Sequence, residues 1–196
     1  MNKYLVIIAL GVLAFITSGF SKDIPEPIAK NIDYTNTKKA HFAGGCFWGV
    51  EHLFEKQKGV KDVISGFMGG HVQNPSYRAV VKGDTGHVET VEVVYNPAEI
   101  SFESLAKLFF EIHDSTQKNG QGPDIGSQYL SVVFYDNEEE KKTTEKLIDI
   151  LKTKGYDVAT TLRPSSPFYA AEAYHQDYYV RTGKTPYCHV YKKIFD

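Results

Sequence analysis

The sequence predicts an α+β domain in which a mixed β-sheet carries packed helices. Three observations lead there. Amphipathic runs with helical spacing alternate with short valine-rich runs, several links between the short runs are too brief for parallel crossovers, and no repeat or low-complexity tract interrupts the pattern. In chain order, Lys39 to Ala43 reads as a strand running into Gly44-Gly45, and a helix from Cys46 runs to about Lys58-Gly59 with Phe47, Val50, Leu53 and Phe54 on one face. Val60 to Phe67 is a second strand, closed by Gly69-Gly70. His87 to Tyr95 is the clearest strand, with valines on both faces, so alternation does not say which face is buried.

Ser101 is placed to cap a helix with the stripe Leu105, Leu108, Phe109 and Ile112, and Leu130 to Tyr135 forms another strand. The helix starting after Asp136 or Asn137 opens on three glutamates and closes on Lys152 and Lys154 before Gly155, which matches its charges to the dipole at both ends. Tyr156 to Arg163 reads as a strand and Ala171 to Arg181 as a last short helix. Two stretches resist regular structure: Gly69 to Gly86, with turns at Asn74-Pro75-Ser76-Tyr77 and Gly83-Asp84-Thr85-Gly86, and Asp114 to Gln128, too long for an idle connector.

The chain divides into three parts. Lys3, the apolar run Tyr4 to Thr17 and the small residues Ser18, Gly19 and Ser21 make 1–21 an export signal or an uncleaved N-terminal anchor, so the folded part is expected outside the cytoplasm, periplasmic or membrane-anchored facing outward. Residues 22–37, with Pro25 and Pro27, read as a linker, and 38–196 as one domain of about 160 residues, enough for a sizeable core. Net charge is −2 and no Lys/Arg cluster interleaves with aromatics, which argues against nucleic acid as a partner. The seven histidines show no paired ligand spacing and there is no Cys-x-x-Cys, so no metal and no cofactor is expected. The chain is expected to be a monomer.

Chemistry concentrates at Gly44-Gly45-Cys46-Phe47-Trp48-Gly49, where one of the two cysteines stands beside the only tryptophan. At a helix N-terminus the free N–H groups and the dipole favour an anion, so Cys46 is expected to ionise readily, with the glycines letting a substrate come close. Cys188, in the C-terminal Pro186-Tyr187-Cys188-His189, is expected on a mobile tail, where a second thiol suits a redox cycle. A structural disulfide is the competing reading for two cysteines in an exported chain. Glu89, near the start of a strand, becomes a proton donor if the Val91 and Val93 face is the buried one, and otherwise is a solvated glutamate like Glu92. Tyr77 and Tyr129 can donate to a polar oxygen, and Asp124 is either a site residue or an ordinary turn aspartate. His113 and His175 read as hydrogen-bonded structural histidines, with pocket lining as their other role.

Taken together, Gly45-Cys46-Phe47-Trp48-Gly49, Asn74-Pro75-Ser76-Tyr77, Thr85-Gly86-His87-Val88-Glu89, His113-Asp114, Gln121 to Tyr129 and Ala173-Tyr174-His175-Gln176 resemble the A-type peptide methionine sulfoxide reductases in order and spacing, from about Lys39 to Cys188. The resemblance implies reduction of methionine-S-sulfoxide in oxidised proteins, on a two-layer sandwich with a ferredoxin-like core. It implies Cys46 as nucleophile, Phe47 and Trp48 as the apolar wall for the S-methyl group, and Glu89 as the acid at the sulfoxide oxygen. Tyr77 and Tyr129 would assist Glu89, Asp124 would help hold the pocket, and His175 would line it as a substrate-binding residue. Cys188 would resolve the Cys46 sulfenic acid to a disulfide that a thioredoxin-like protein reduces. Phe67 stands where the family usually has tyrosine, and Val81 where many members carry a further cysteine. A general thiol oxidoreductase or peroxidase, and an exported binding domain stapled by Cys46–Cys188, are the alternatives.

Overall fold

The computed structural model describes residues 30–196. The signal or anchor over 1–21 and the first part of the linker lie outside the described residues. Within them, β1 (Lys38–Gly44) leads to α1 (Phe47–Phe54), followed by β2 (Val60–Met68), α2 (Tyr77–Val81), β3 (Val88–Tyr95) and α3 (Phe102–Ile112). A small hairpin of β4 (Gly120–Gln121) and β5 (Asp124–Ile125) precedes β6 (Ser131–Tyr135), α4 (Glu138–Thr153), β7 (Thr161–Pro164), β8 (Tyr169–Ala170) and α5 (Tyr178–Thr182). No helix among them is long and apolar enough to cross a membrane.

The main sheet has the order β7-β6-β1-β3-β2-β8. All its pairings are antiparallel except β6 with β7, so the sheet is mixed as expected. The inner order β6-β1-β3-β2, with α1 and α3 as the crossovers, is the ferredoxin-like arrangement. Phe42, Val63, Val91, Val93 and Val133 of the sheet meet Phe47, Val50, Phe54, Leu105, Phe109, Leu147 and Leu151 of the helices in one core. Each such side chain contributes roughly 1.5–3 kcal/mol on burial. The opposite face of the sheet buries Ala43, Met68, Val88, Val132 and Phe134 beneath Leu130 and Phe168. Every residue of β3 is therefore buried, which is why its sequence shows valine on both faces. Glu92 is accordingly not solvated: it is buried and paired with Lys39 at 2.9 Å and His41 at 3.1 Å.

Ser101 and Asn137 cap α3 and α4 through their side chains. Three boundaries differ from expectation. Helix α1 stops at Phe54, its last core anchor, and the chain turns through Gln57 N–H to Phe54 O at 3.0 Å before Gly59 at φ +94°. Residues 156–160 do not join the sheet, because Tyr156 N–H bonds back to Leu151 O and Ala159 N–H to Ser115 O. The last helix is broken into a 3₁₀ turn, Ala173–His175, and α5 by Asp177 at φ +54°. That geometry is held by Lys30, whose Nζ meets Asp177 at 2.7 Å, and by Gln176, whose amide bonds both Ser65 N and Ser65 O at 2.9 Å.

The C-terminal tail is docked rather than free, which corrects the expectation of a mobile one. Buried Glu111 accepts Ile194 N–H at 2.8 Å and Phe195 N–H at 2.9 Å on one carboxylate oxygen, and its carbonyl accepts Lys192 N–H at 2.7 Å. Phe195 enters the core and His189 is buried against Gly44.

Candidate active site

Cys46 is the N-cap of α1, reached from β1 through Gly45 at φ +95°. Its side chain is 6 % exposed, nearly covered yet not sealed. Two influences oppose each other on Sγ. The Trp48 N–H and the helix end favour a thiolate, although Sγ forms no cap hydrogen bond, while burial and then the Glu89 carboxylate favour the thiol. Burial is the largest cause, so the resting group is a thiol with its pKa pushed far up, and the expected ready ionisation is corrected. The flanking glycines do not face a substrate either. A Cβ on Gly45 would meet the Gln121 side chain, one on Gly44 would press on Phe109 at 3.0 Å, and one on Gly49 would overlap the His189 ring.

Glu89 lies on the helix-covered face of β3, opposite Phe67 of β2, and is 2 % exposed. Its Oε2 accepts the backbone N–H of Phe47, the first residue of α1, at 3.0 Å. Burial raises the carboxyl to a pKa of about 8 against that hydrogen bond, with the Asp124 charge adding to the rise. Glu89 is therefore largely protonated at neutral pH. In the neutral acid the oxygen that accepts an N–H is the carbonyl oxygen, so the proton sits on Oε1. Tyr77 and Tyr129 lie within electrostatic range of both Glu89 and Cys46; burial pushes Tyr77 up and Tyr129 up to about 12, so both phenols are donors.

The aromatic wall is assembled from α1, β2, α2, the 3₁₀ turn and α5. Phe47 is buried at a ring distance of 5.8 Å from Phe67 and 6.3 Å from Tyr77, and Trp48 stacks on Tyr178 at 3.8 Å with planes 7° apart. Trp48 Nε1–H donates to His175 Nδ1 at 3.1 Å, which requires that nitrogen to be bare. Burial lowers His175 to about 4 and keeps it so. The His175 ring also lies 4.3 Å from that of Tyr77, whose N–H bonds Glu172 at 3.1 Å. His113 is structural: it bridges Phe109 O and Ser131 Oγ.

On the other side, Asp124 of β5 accepts the Tyr187 hydroxyl at 2.7 Å. Cys188, half-buried, packs over Gly122 and lies within electrostatic range of Cys46, Asp124 and Glu89. Both cysteines are free thiols. Cys188 forms part of the wall of a groove of about 550 Å³ that also takes in Gln121, Pro123 and Val190.

Residues 38–195 match the profile of the family described as peptide methionine sulfoxide reductase. The chain belongs to that family. Its relatives of the A type include the peptide methionine sulfoxide reductase MsrA of Nautilia profundicola, 46 % identical over 150 residues that cover 76 % of this chain and 87 % of the relative. Among solved structures, reduced Mxr1 from Saccharomyces cerevisiae superposes with a TM-score of 0.77 at 35 % identity, covering 84 % of this chain and 98 % of that one. Mxr1 in complex with Trx2 gives a TM-score of 0.56 at 25 % identity, covering 84 % of this chain and 96 % of that one. The chain is thus an A-type peptide methionine sulfoxide reductase, an oxidoreductase that works through thiol chemistry.

Within this reductase the structure brings together all the residues singled out from sequence: Cys46, Phe47, Trp48, Tyr77, Glu89, Asp124, Tyr129, His175 and Cys188. Sequence reasoning missed Tyr178, Tyr187, Gln121 and His189. Tyr187 and His189 carried a signal by flanking Cys188, and Gln121 by opening the segment that runs to Tyr129; Tyr178 is brought in by contacts across the fold.

Proposed function

We propose that the chain reduces the S epimer of methionine sulfoxide in oxidised proteins, with Cys46 as nucleophile, Glu89 as acid and Cys188 as resolving thiol. The observation that carries this is the Glu89–Phe47 hydrogen bond, which holds a neutral carboxyl beside the helix end that bears Cys46. Cys46 Sγ attacks the sulfoxide sulfur while Glu89 Oε1 gives its proton to the sulfoxide oxygen, because oxide leaves only when protonated. The hydroxyl passes to Sγ as the bond between the two sulfurs breaks and its electron pair returns to the thioether, and the thiol proton restores Glu89, so sulfoxide and thiol become thioether and sulfenic acid. While Glu89 is neutral its repulsion on Sγ is relieved, and the Trp48 N–H supports the charge that develops.

Tyr77 and Tyr129 donate to the same oxygen, and Phe47 and Trp48, fixed by His175 and Tyr178, take the methyl group. Cys188 then attacks the sulfenic sulfur to give the Cys46–Cys188 disulfide. A thioredoxin-like protein reduces it, a reading supported by the yeast relative's complex with Trx2 and by the groove at Cys188, the more exposed of the two cysteines. Repair of oxidised proteins outside the cytoplasm follows from the export reading of residues 1–21, which N-terminal sequencing and cell fractionation test.

The decisive experiment incubates the protein with separated sulfoxide epimers and a dithiol reductant, comparing wild type with Cys46→Ser, Glu89→Ala and Cys188→Ser. Reduction of the S epimer only is expected, abolished in Cys46→Ser, weakened in Glu89→Ala and limited to one round in Cys188→Ser with a thioredoxin donor. Activity surviving in Cys46→Ser defeats the assignment.

A further inference from the structure

We propose that His189 is the general base that takes the proton from Cys188 as its sulfur attacks the sulfenic acid on Cys46. The inference rests on the reading of Cys188 as resolving thiol. His189 Nδ1 lies 3.0 Å from Cys188 Sγ, and Nε2 lies 2.7 Å from the carbonyl oxygen of Gly44, two residues before Cys46. A carbonyl oxygen only accepts, so Nε2 carries the hydrogen and Nδ1 turns a bare lone pair to the thiol. The ring is 4 % exposed and is seated against Gly49, where no Cβ would fit. The glycine that follows the Cys-Phe-Trp motif is thus required by this imidazole.

The other basic group against the thiol is the Asp124 carboxylate, with which Cys188 also shares a hydrogen bond. Burial and the Asp124 carboxylate push Cys188 up to about 12. Besides His189, the groups that face Cys188 are Asp124, Glu89, Cys46 and the phenols of Tyr179 and Tyr187, and those that face His189 are Asp124 and His113. Asp124 is a poor alternative, since its carboxylate already accepts the Tyr187 hydroxyl at 2.7 Å and its charge opposes a thiolate. It serves instead to steady the imidazolium, as does the Gly44 carbonyl. Burial lowers His189, which keeps the free base populated at neutral pH.

The step balances without any outside reagent. The Cys188 proton moves to His189 Nδ1, the Sγ–Sγ bond forms, and the sulfenic S–O bond breaks. The hydroxyl leaves as water by taking the Glu89 proton, and His189 then returns a proton to Glu89 by way of solvent.

The test follows disulfide formation after one round with methionine sulfoxide, by quenched alkylation and mass, from pH 6 to 8 in the full chain. His189→Gln keeps a donor for Gly44 O and removes the base. Wild type is expected to be nearly flat with pH, and His189→Gln about 10²-fold slower at pH 7 with a rate rising about tenfold per pH unit, as the free thiolate fraction does. A slower rate with the wild-type profile means a structural role and overturns the proposal, as does a wild-type rate. Should the variant not fold, ¹⁵N spectra of wild type decide: the Nε2–H tautomer with bare Nδ1 supports the proposal and the Nδ1–H tautomer ends it. Full cycling of Cys188→Ser with thioredoxin would instead remove the resolving-thiol reading itself.

Discussion

Glu89 Oε2 accepts the Phe47 backbone N–H at 3.0 Å, so the proposed acid on β3 is bonded to the residue that follows the proposed nucleophile, Cys46. This contact ties the two reacting groups to one helix end and orients the carboxyl proton away from it. It opposes the rise in the carboxyl pKa without cancelling it, since Glu89 still titrates near 8.

The first consequence is a pH signature. Release of methionine in a single round is expected to be level through neutral pH and to fall above about pH 8 as Glu89 ionises. Glu89→Gln, which keeps an acceptor for Phe47 N–H but has no acidic proton, should lose that descending limb and be slower by roughly 10²–10⁴-fold. Stability carries the same mark. The folded pKa is raised, so wild-type stability from this group is complete below about pH 4.5 and is lost as pH rises to about 8. Urea unfolding at intervals across that window should show Glu89→Gln gaining on wild type as pH increases, then holding level.

Alkylation gives a second test. With burial holding Cys46 as a thiol, iodoacetamide at pH 7 should modify it more slowly than it modifies free cysteine, by about tenfold or more. Mass mapping of the labelled peptide over time measures this. Rapid labelling of Cys46 would restore the resting thiolate that the helix end alone suggests.

Gly49 offers a third, because two energies compete there. Alanine is favoured over glycine inside a helix by roughly 1 kcal/mol. A Cβ at Gly49, however, overlaps the buried His189 ring. Gly49→Ala is therefore expected to destabilise by more than that propensity gain and to slow disulfide formation more than methionine release. Thermal unfolding with quenched-flow sampling of both steps reads the two effects.

Much of this molecule could be read from its residues. Strands β1, β2, β3 and β6 and the Ser101 cap are local and stand as expected, as does a start of α4 after Asn137, one of its two expected positions, while the grouping of Cys46, Tyr77, Glu89 and Tyr129 is motif-borne. What escaped depends on contacts between distant segments. The burial that keeps Cys46 a thiol leaves no trace in nearby sequence, and the second layer over β3 that hides Glu92 leaves only the valines on both faces of that strand. The glycines around Cys46 looked like openings for substrate, yet they accommodate Gln121, Phe109 and His189, which come from later parts of the chain. The tail looked loose because its anchor, Glu111, lies about 80 residues away on α3, where it resembles any helical glutamate.

That anchor supplies the last prediction. Glu111 is buried, and a single carboxylate oxygen accepts the N–H groups of Ile194 and Phe195 while Phe195 fills core space near Phe110. These contacts hold the irregular tail that carries Cys188 and His189. Glu111→Ala removes both acceptor bonds and leaves two N–H groups to find water, which should release the last residues at a cost of about 1–3 kcal/mol. Glu111→Gln keeps a neutral carbonyl acceptor and should lose less. In the proposed mechanism methionine release in the first round depends on Cys46 and Glu89, which the tail does not position through Glu111. Disulfide formation depends on where Cys188 sits. Hydrogen exchange should therefore show Lys192, Ile194 and Phe195 amides losing protection in Glu111→Ala, with turnover on a thioredoxin donor falling more than the first-round yield. Undiminished protection of those amides would mean that Phe195 burial alone secures the tail.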